Sequence, residues 1–463
     1  MGRKGLNGEV EALRERFQGS VLTEADGEYE EARQIFNSMI DRRPAVIAQC
    51  ESADDVAAAI AFGRERDLEL AIRSGGHSVA GASLTDGGLV IDMRRMNEVG
   101  VDPDARAATA QGGATWSAFD RATQPHNLMA TGGRVSTTGV AGLSLGGGSG
   151  WLERKFGLAC DNLLSVTLVT ADGETVTASE DSNSELFWAL HGAGGNFGVA
   201  TELTFRLHEL PASTLGLLLW PADRGPEVAR TYRDLIDAGP PEELGGGIFY
   251  IFGPPEDFVP EHLQGQLCAG IVTVYAGTEP EMREALAPVL ALEHEGGLIA
   301  EMPYAEIQCA LDDPPGYRNY WSVEHMTEFP DEAVEIFCQR AHDMVAPSPS
   351  QHIMFPWGGA VARGADDWPL PHRHAPWAVH PLGLWEDRAD DDQAIAWARG
   401  TCADLRPWST GGVYLNFVGD EGADRVRAGY GDDNFERLAK VKAEFDPDNV
   451  FHLHHNIKPL QPA

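Results

Sequence analysis

The sequence has few lysines and no long hydrophobic run. Only five of its 35 cationic residues are lysine, against 71 acidic residues, and the formal net charge of the 463-residue chain is −36. A surface this acidic repels phosphate, so nucleic acid and anionic membranes are poor partners. No run approaches the roughly 18 apolar residues of a membrane-spanning helix, and the N-terminus has no apolar segment typical of a secretory signal. We therefore expect a cytoplasmic protein.

Cysteine is also scarce. The six cysteines are scattered and form no C-x-x-C pair, which argues against both a disulfide scaffold and a zinc ribbon. Histidines cluster at 372–380 and 452–455, but no H-E-x-x-H motif accompanies them. We predict solvated or capping histidines and no metal site. The length and the 43% hydrophobic content indicate two or three globular domains.

The local pattern of the chain changes near residue 210. Short helices and strands punctuated by glycine are predicted over residues 45–210, without the regular β-α-β alternation of a doubly wound sheet. Beyond that point helical and strand-like stretches alternate, which predicts an antiparallel sheet with helices on one face. We also predict a hairpin over 163–178, a helix over 25–45 and a strand over Val413–Phe417.

The first motif that could carry chemistry is Arg73-Ser74-Gly75-Gly76-His77-Ser78. Paired glycines let backbone N–H groups turn towards an anion, and His77 places a nucleophilic imidazole at the tip of the turn. The alternative is a plain hairpin turn with a surface histidine.

Two further glycine-rich segments imitate well-known motifs. Gly142–Gly146 matches the G-x-S-x-G pattern around Ser144, but the glycines that follow disfavour the helix that a hydrolase nucleophile needs. Gly192–Val199 nearly fits G-x-G-x-x-G, yet its last glycine comes one residue late and a strand follows where a helix should. A serine hydrolase and a Rossmann dinucleotide site are therefore both disfavoured.

Taken in order, these segments resemble the berberine bridge enzyme-like FAD-linked oxidases of the vanillyl-alcohol oxidase superfamily. The resemblance covers about residues 40–460. It rests on Arg73–His77, Gly139–Gly150, Lys155–Asn162, Gly194–Gly198, Tyr414-Leu415-Asn416-Phe417, Tyr430-Gly431, Phe445–Phe451 and Asn456–Pro459.

The resemblance implies an α+β fold in which a two-part FAD domain, residues 1–210 and 411–463, flanks a substrate domain over 211–410. The implied substrate domain is an antiparallel sheet with helices on one face. The implied cofactor contacts are Arg73, Ser74, Gly75, Gly76, His77, Ser78, Gly133, Val135, Thr138, Gly139, Gly142, Gly147, Gly148, Cys160, Asn162, Gly198, Val199, Tyr414 and Asn416.

The resemblance also implies a covalent flavin. His77 matches the residue that bonds to the flavin 8α-carbon, and Val135 stands where some members place a second, cysteine link. We therefore expect a single covalent bond, with Cys160 a packed thiol. Thr138 and Leu143 match positions that shape a dioxygen pocket in plant relatives. Because Leu143 replaces a common histidine or asparagine, oxidase and dehydrogenase both remain open.

The expected reaction is hydride transfer from a CH–OH group of a sugar or secondary-metabolite alcohol to FAD, followed by reduction of dioxygen to hydrogen peroxide. Tyr414 is the candidate base and Asn416 its neighbour on one strand face, although Tyr414 could instead pack on the flavin. Candidate substrate residues are Tyr317, Tyr320, Trp321 and Trp357. The alternatives are a dehydrogenase with another electron acceptor and a flavin-binding protein without turnover. The sequence indicates no oligomeric state.

Overall fold

The computed structural model describes residues 3–364, 366–419 and 421–460, and their strands form three sheets and one short ribbon. The strands are β1 (Ser20–Leu22), β2 (Val46–Gln49), β3 (Leu70–Arg73), β4 (Leu89–Asp92), β5 (Val99–Asp102), β6 (Ala107–Gln111), β7 (Leu128–Met129), β8 (Leu163–Val169), β9 (Thr175–Ser179), β10 (Val199–Arg206), β11 (His208–Glu209), β12 (Thr214–Pro221), β13 (Leu244–Phe252), β14 (Leu267–Tyr275), β15 (Gly296–Glu301), β16 (Arg318–Trp321), β17 (Glu324–Met326), β18 (Gln351–Pro356) and β19 (Trp377–Trp385).

Helices connect and cover these sheets. They are α1 (Arg3–Arg14), α2 (Tyr29–Ala32), α3 (Ala53–Glu65), α4 (Trp116–Thr123), α5 (Val140–Leu145), α6 (Glu153–Phe156), α7 (Ser184–Ala189), α8 (Gly225–Asp237), α9 (Glu279–Ala285), α10 (Ala287–Leu290), α11 (Tyr304–Ala310), α12 (Asp331–Ala341), α13 (Ala360–Arg363), α14 (Asp391–Leu405), α15 (Ala423–Tyr430) and α16 (Asp432–Phe445). Single 3₁₀ turns lie at Gln124–His126, Cys160–Asn162, Gly194–Asn196, Ala222–Arg224, Arg388–Asp390, Arg406–Trp408 and Leu415–Phe417.

Two small sheets occupy the first half of the chain. In the four-stranded sheet, of order β1-β2-β4-β3, strand β4 pairs in parallel with β2 and β3. Because β3 ends at Arg73, the glycine motif leaves the sheet directly. The five-stranded sheet has the order β5-β6-β10-β8-β9 and is antiparallel. Its β8–β9 hairpin turns at Gly173, whose φ of +85° suits glycine, as predicted.

The third sheet is larger and antiparallel. Its order is β15-β12-β14-β13-β18-β19-β16, with β17 also paired to β19. One face packs under helices α8, α9 and α12, where Tyr232, Met282 and Phe337 are buried among the sheet residues Trp220 and Ile248. The helices do not cover the other face in this way, and many of its side chains line a cavity. The predicted antiparallel sheet with helices on one face is confirmed.

The last residues return to the first half of the chain. The buried ammonium of Lys442 on α16 donates to Asp446 Oδ2 at 2.7 Å, to Phe451 O at 2.7 Å and to Asn196 O at 2.6 Å. Asn196 in turn donates from Nδ2 to His454 O at 3.2 Å. These bonds hold the C-terminal segment against the Gly194–Asn196 turn.

Two predicted elements are wrong. The helix expected over 25–45 is reduced to Tyr29–Ala32, because the chain beyond it is held by long-range bonds such as those from Asn37 Nδ2 to the carbonyls of Val79 and Asn319. The strand expected over 413–417 is instead the 3₁₀ turn Leu415–Phe417.

All six cysteines are free thiols. Within the described ranges, no helix combines the length and the apolar character needed to cross a membrane.

Candidate cofactor and substrate site

A cavity of about 710 Å³ lies between the glycine-rich loops and the uncovered face of the large sheet. We call its glycine side the glycine wall. It consists of Gly75, Gly76, Gly133, Gly139, Gly142, Gly194, Gly195 and Gly198. A Cβ built on Gly142 would meet no atom within 4 Å, so this glycine faces open space. The wall therefore offers backbone, not side chains, to a ligand.

Two loops cross closely at the glycine wall, and this crossing determines its shape. A Cβ on Gly75 would lie 2.3 Å from Gly139 N, and a Cβ on Gly139 would lie 2.3 Å from Ser74 Oγ. Side chains at either position would push the loops apart. Gly76 also has a φ of +79°, a conformation that favours glycine.

His77 lines the cavity beside this crossing. Its ring stacks on Phe36 with centroids 4.2 Å apart, and its Nε2 lies 3.0 Å from Thr137 Oγ1. Burial, together with the positive charge of Arg73, lowers the pKa of His77 to about 4. The imidazole is therefore neutral at physiological pH. Nδ1 has no hydrogen-bond partner among the described residues.

Most of the expected cofactor residues meet at this cavity. Those that line it are Ser74, Gly75, Gly76, His77, Ser78, Gly133, Val135, Thr138, Gly139, Gly142, Gly198 and Asn416. Those that lie outside its lining are Arg73, Gly147, Gly148, Cys160, Asn162, Val199 and Tyr414.

The residues outside the lining are engaged elsewhere. The Arg73 guanidinium donates to the carbonyls of Ala32 and Gln34. Asn162 donates from Nδ2 to Phe156 O and Leu158 O. These polar side chains hold the loops that form the cavity, and their contact with the cofactor stays a prediction.

Cys160 is fully buried and next to Asp161, and burial raises the pKa of its thiol well above the usual value. It behaves as the packed thiol that was expected. Asp161 forms a two-pronged ion pair with the buried Arg373, at 2.7 and 2.5 Å, which ties this loop to the segment before β19.

Tyr414 lies outside the cavity lining. Its hydroxyl oxygen accepts hydrogen bonds from Gly148 N at 2.6 Å and Ser149 N at 2.9 Å. Burial raises its pKa above the usual value despite these bonds. A neutral phenol directed at the backbone is poorly placed to take a proton from a substrate, so the geometry argues against Tyr414 as the base. Asn416, in contrast, lines the cavity.

His380, which the sequence analysis placed among the solvated or capping histidines, is instead buried and lines the cavity from β19. Its Nδ1 donates to Ser322 O at 2.9 Å, and its ring stacks on Phe417 with centroids 4.1 Å apart. Burial lowers the pKa of His380 to about 3. With Nδ1 carrying the proton, Nε2 has a free lone pair and no partner in the described parts of the chain. The even-numbered residues of β19 share one face of the sheet, and this pattern could have indicated His380 in the sequence. Pro381 obscured the pattern, because proline is unusual inside a strand.

Of the four expected substrate residues only Trp321 lines the cavity. Its neighbour Tyr320 points to the opposite face of β16, where its hydroxyl accepts from Arg399 Nε at 2.8 Å. Trp357 is buried beside Tyr414, with ring centroids 5.8 Å apart. Tyr317 is half-buried and lies outside the lining.

Ser144 is fully buried on α5, and its Oγ has no hydrogen-bond partner in the structure as described. It therefore lacks the base that a nucleophilic serine requires. The predicted exclusion of a serine hydrolase agrees with this placement. The cavity lining also contains His452, His454 and His455 from the C-terminal segment. Among residues 3–364, 366–419 and 421–460, no cluster of three or more candidate ligands could hold a metal ion.

Comparison with known proteins assigns the family. The profile described as "FAD binding domain" matches residues 44–179, and that described as "Berberine and berberine like" matches residues 413–458. The (R)-6-hydroxynicotine oxidase of Paenarthrobacter nicotinovorans is 30% identical over 472 residues, which cover 96% of this chain and 97% of that protein. The chain belongs to the berberine bridge enzyme-like family of FAD-linked oxidoreductases.

Two further proteins are similar to this chain over most of their length. The crystal structure of 6-hydroxy-D-nicotine oxidase from Arthrobacter nicotinovorans superposes with a TM-score of 0.86 at 28% identity, covering 96% of this chain and 98% of that one. The glucooligosaccharide oxidase of Sarocladium strictum is 26% identical over 466 residues, covering 92% of this chain and 89% of that protein. The chain therefore has the α+β fold of the vanillyl-alcohol oxidase type and is an FAD-dependent oxidoreductase.

The cavity fits FAD. Glycines of the wall leave backbone where side chains would fill the space, as the open position at Gly142 illustrates. A Cβ on Gly195 would likewise have only Ile72 Cδ1, at 3.5 Å, within 4 Å. The berberine bridge enzyme-like assignment thus also explains why neither glycine-rich loop satisfies a Rossmann pattern.

Proposed function

We propose that this enzyme oxidises a CH–OH group of a small-molecule alcohol, either a sugar or a secondary metabolite, with dioxygen as the electron acceptor and hydrogen peroxide as product. The observation that carries the proposal is that two imidazoles, His77 and His380, line one cavity together with the glycine wall. The first would anchor the cofactor and the second would face the substrate.

His77 would hold FAD through a single covalent bond to the flavin 8α-carbon. Its neutral ring has the lone pair that such a bond requires. Val135 lines the same cavity, and its side chain has no sulfur for a second link. Residues 1–210 and 411–463 would together form the FAD domain around residues 211–410, a division supported by the contribution of both ends to the cavity lining.

FAD held here would supply the hydride acceptor and would pass the electrons on to dioxygen; a histidyl substituent would favour hydride acceptance by raising the flavin potential. His380 would accept the hydrogen bond of the substrate hydroxyl at Nε2. As the donor carbon loses hydride, its hydroxyl becomes far more acidic, so even an imidazole of low pKa can take the proton. The Nδ1–H bond to Ser322 O fixes the tautomer that leaves Nε2 free.

Asn416 would orient the substrate or the flavin. Its Nδ2 donates to Leu143 O and to the Tyr414 hydroxyl, both at 3.0 Å. The amide is therefore held in one orientation, and Oδ1 has no hydrogen-bond partner among the described residues. Thr138 and Leu143 also line the cavity and are candidates for the surface that dioxygen meets.

The test separates the oxidase from its alternatives. Purified enzyme is mixed anaerobically with a panel of sugars and phenolic alcohols while the flavin absorbance near 450 nm is followed, and air is then admitted. Bleaching by a substrate followed by recovery and peroxide release supports an oxidase. Recovery only with an artificial acceptor indicates a dehydrogenase. Photoreduced enzyme that neither air nor artificial acceptors reoxidise would indicate a flavin-binding protein without turnover.

A further inference from the structure

The cavity face opposite the glycine wall is almost entirely apolar. We call it the sheet wall. Its side chains are Leu217, Phe249, Ile251, Val272, Trp321, Gln351, Ile353, Phe355, His380 and Leu382. Its polar groups are the side chains of Gln351 and His380 and the indole N–H of Trp321, which has no hydrogen-bond partner among the described residues. An oligosaccharide buries many hydroxyl groups, each of which needs a partner, and this wall offers three polar side chains. The sheet wall therefore suits a ligand with a mainly apolar body.

Three acidic residues also line this cavity: Glu256, Asp312 and Asp313. Asp312 and Asp313 line it from the loop that follows α11. Asp312 accepts hydrogen bonds from Ser136 N at 2.5 Å and Ser136 Oγ at 2.6 Å. Asp313 is only 7% exposed, and its Oδ1 accepts from Gln351 Nε2 at 2.5 Å. Its Oδ2 has no partner among the described residues.

No protein cation balances these carboxyl groups in the described parts of the chain. Arg134 is the one lysine or arginine among the described lining residues, and it is already paired with Glu153 at 2.9 Å. Burial and the neighbouring charge of Asp312 raise the pKa of Asp313 to about 7. A carboxyl group in this state gains a partner when a cation enters the cavity.

The strand register gives the spacing between Gln351 and His380. Gln351 lies opposite Leu382, and His380 lies opposite Ile353. The two residues are therefore diagonal neighbours on adjacent strands, a relationship that places such residues about 7–8 Å apart. Asp313, which contacts Gln351, and His380 thus belong to neighbouring parts of one cavity.

We propose that the substrate is a largely apolar molecule with an ammonium group, and that Asp313, oriented by Gln351, binds this group while the oxidised carbon lies near His380. The proposal rests on the proposed function for the identity of the reacting site and names its substrate class. It selects an amine-bearing secondary metabolite over a sugar.

The test uses two probes of the same shape that differ in charge. Benzyltrimethylammonium and its neutral carbon analogue neopentylbenzene are titrated at pH 8 into oxidised holoenzyme, and binding is followed by the change in flavin absorbance. We expect the cation to bind at least about tenfold more tightly. Asp313→Asn should weaken cation binding about 10-fold or more and change binding of the neutral probe less than about twofold. Asp104→Asn, at an exposed position outside the cavity lining, is the matched control and should change neither.

Equal affinity of the wild-type enzyme for both probes would overturn the proposal, as would unchanged cation binding in Asp313→Asn. The wild-type comparison needs no variant, so it decides the question even if Asp313→Asn does not fold. The titration involves no turnover, so a failure of the proposed oxidation would not alter it. Conversely, an enzyme that oxidises alcohols but binds both probes equally would retain the proposed function and lose this substrate class.

Discussion

Asn416 donates a hydrogen bond from Nδ2 to the hydroxyl oxygen of Tyr414 at 3.0 Å. The same oxygen accepts from the backbone amides of Gly148 and Ser149. Three donors therefore converge on one phenol, which joins the C-terminal segment to the loop after α5. The pair consists of one residue that lines the cavity, Asn416, and one that lies outside its lining, Tyr414.

Tyr414→Phe removes the acceptor of these three donors. We expect the free energy of unfolding to fall by about 1–3 kcal/mol, because buried donors lose their partner, and the rate of flavin reduction to fall less than about tenfold. Urea unfolding and anaerobic rapid mixing measure the two effects. Tyr430→Phe, a second buried tyrosine whose hydroxyl donates to Gly192 O, is the control for the loss of one bond. A reduction rate about 10²-fold lower with unchanged stability would instead restore Tyr414 as the base.

His380→Asn keeps a donor for Ser322 O and removes Nε2. We expect flavin reduction to slow by about 10²-fold or more, because the proton acceptor is lost. His352→Asn provides a matched control on β18, since His352 is also buried but contacts Phe337 O at 2.9 Å, and it should leave the reduction rate unchanged.

The pH profile tests the same assignment. Because burial lowers the pKa of His380 to about 3, its ionisation should not appear in kcat/KM between about pH 5 and 9. An unaltered reduction rate in His380→Asn would show that the proton leaves by another route.

His77→Ala should leave the flavin extractable. Acid precipitation of the wild-type enzyme should keep the yellow colour in the pellet, and the variant should release it to the supernatant. His262→Ala, on the exposed surface beside Glu295, should behave as wild type. Retention of flavin in the pellet of His77→Ala would refute the linkage.

Gly142→Leu tests the fit of the glycine wall to FAD. Its side chain would point into open space in the protein alone, so the chain should fold, but the space that the cofactor needs would be filled. We expect a marked fall in the ratio of absorbance at 450 nm to that at 280 nm. Gly100→Leu is the control, since its Cβ also meets no atom within 4 Å and it lies outside the cavity lining. Full flavin content in Gly142→Leu would place the cofactor elsewhere.

The shifted pKa of Asp120 on α4 makes the free energy of unfolding depend on pH. Burial raises its pKa to about 7, and Oδ1 has no hydrogen-bond partner in the structure described here. In the unfolded chain the same carboxyl group ionises near 3.8. The folded protein therefore holds an extra proton between these values, and the free energy of unfolding falls as pH rises through this window.

Asp120→Asn should remove this loss. Between pH 5 and 8 the stability of the variant relative to wild type should increase by about 2–3 kcal/mol, as measured by urea unfolding at both values. Asp104→Asn should show no such change. A constant difference between variant and wild type across this range would mean that Asp120 is ionised in the folded protein.

The sequence predicted the elements that local pattern controls. The β8–β9 hairpin follows from its Asp-Gly turn, and the antiparallel sheet with helices on one face follows from the alternation of helical and strand-like stretches beyond residue 210. It failed where distant contacts decide the structure. The region after α2 is shaped by Asn37 bonds to residues far along the chain. Likewise the Tyr414–Asn416 segment takes its form from amides more than 250 residues away.

In the site, too, the sequence predicts the features set by local pattern and fails for those set by distant contacts. Glycines and His77 are visible as motifs because backbone geometry restricts residue type. Arg73, conversely, looked like part of the motif but binds two carbonyls of its own chain. His380 became visible only through its strand pairing with Ile353. The direction of each side chain depends on sheet register, which single-sequence patterns specify poorly.

The bonds of Lys442 to Asn196 O and Phe451 O have a consequence for biosynthesis. The C-terminal segment that they fix supplies His452, His454 and His455 to the cavity. Until the ribosome has translated this C-terminal segment, the nascent chain lacks that part of the cavity lining. The cavity is therefore complete only after the segment that follows α16 has been synthesised and has docked.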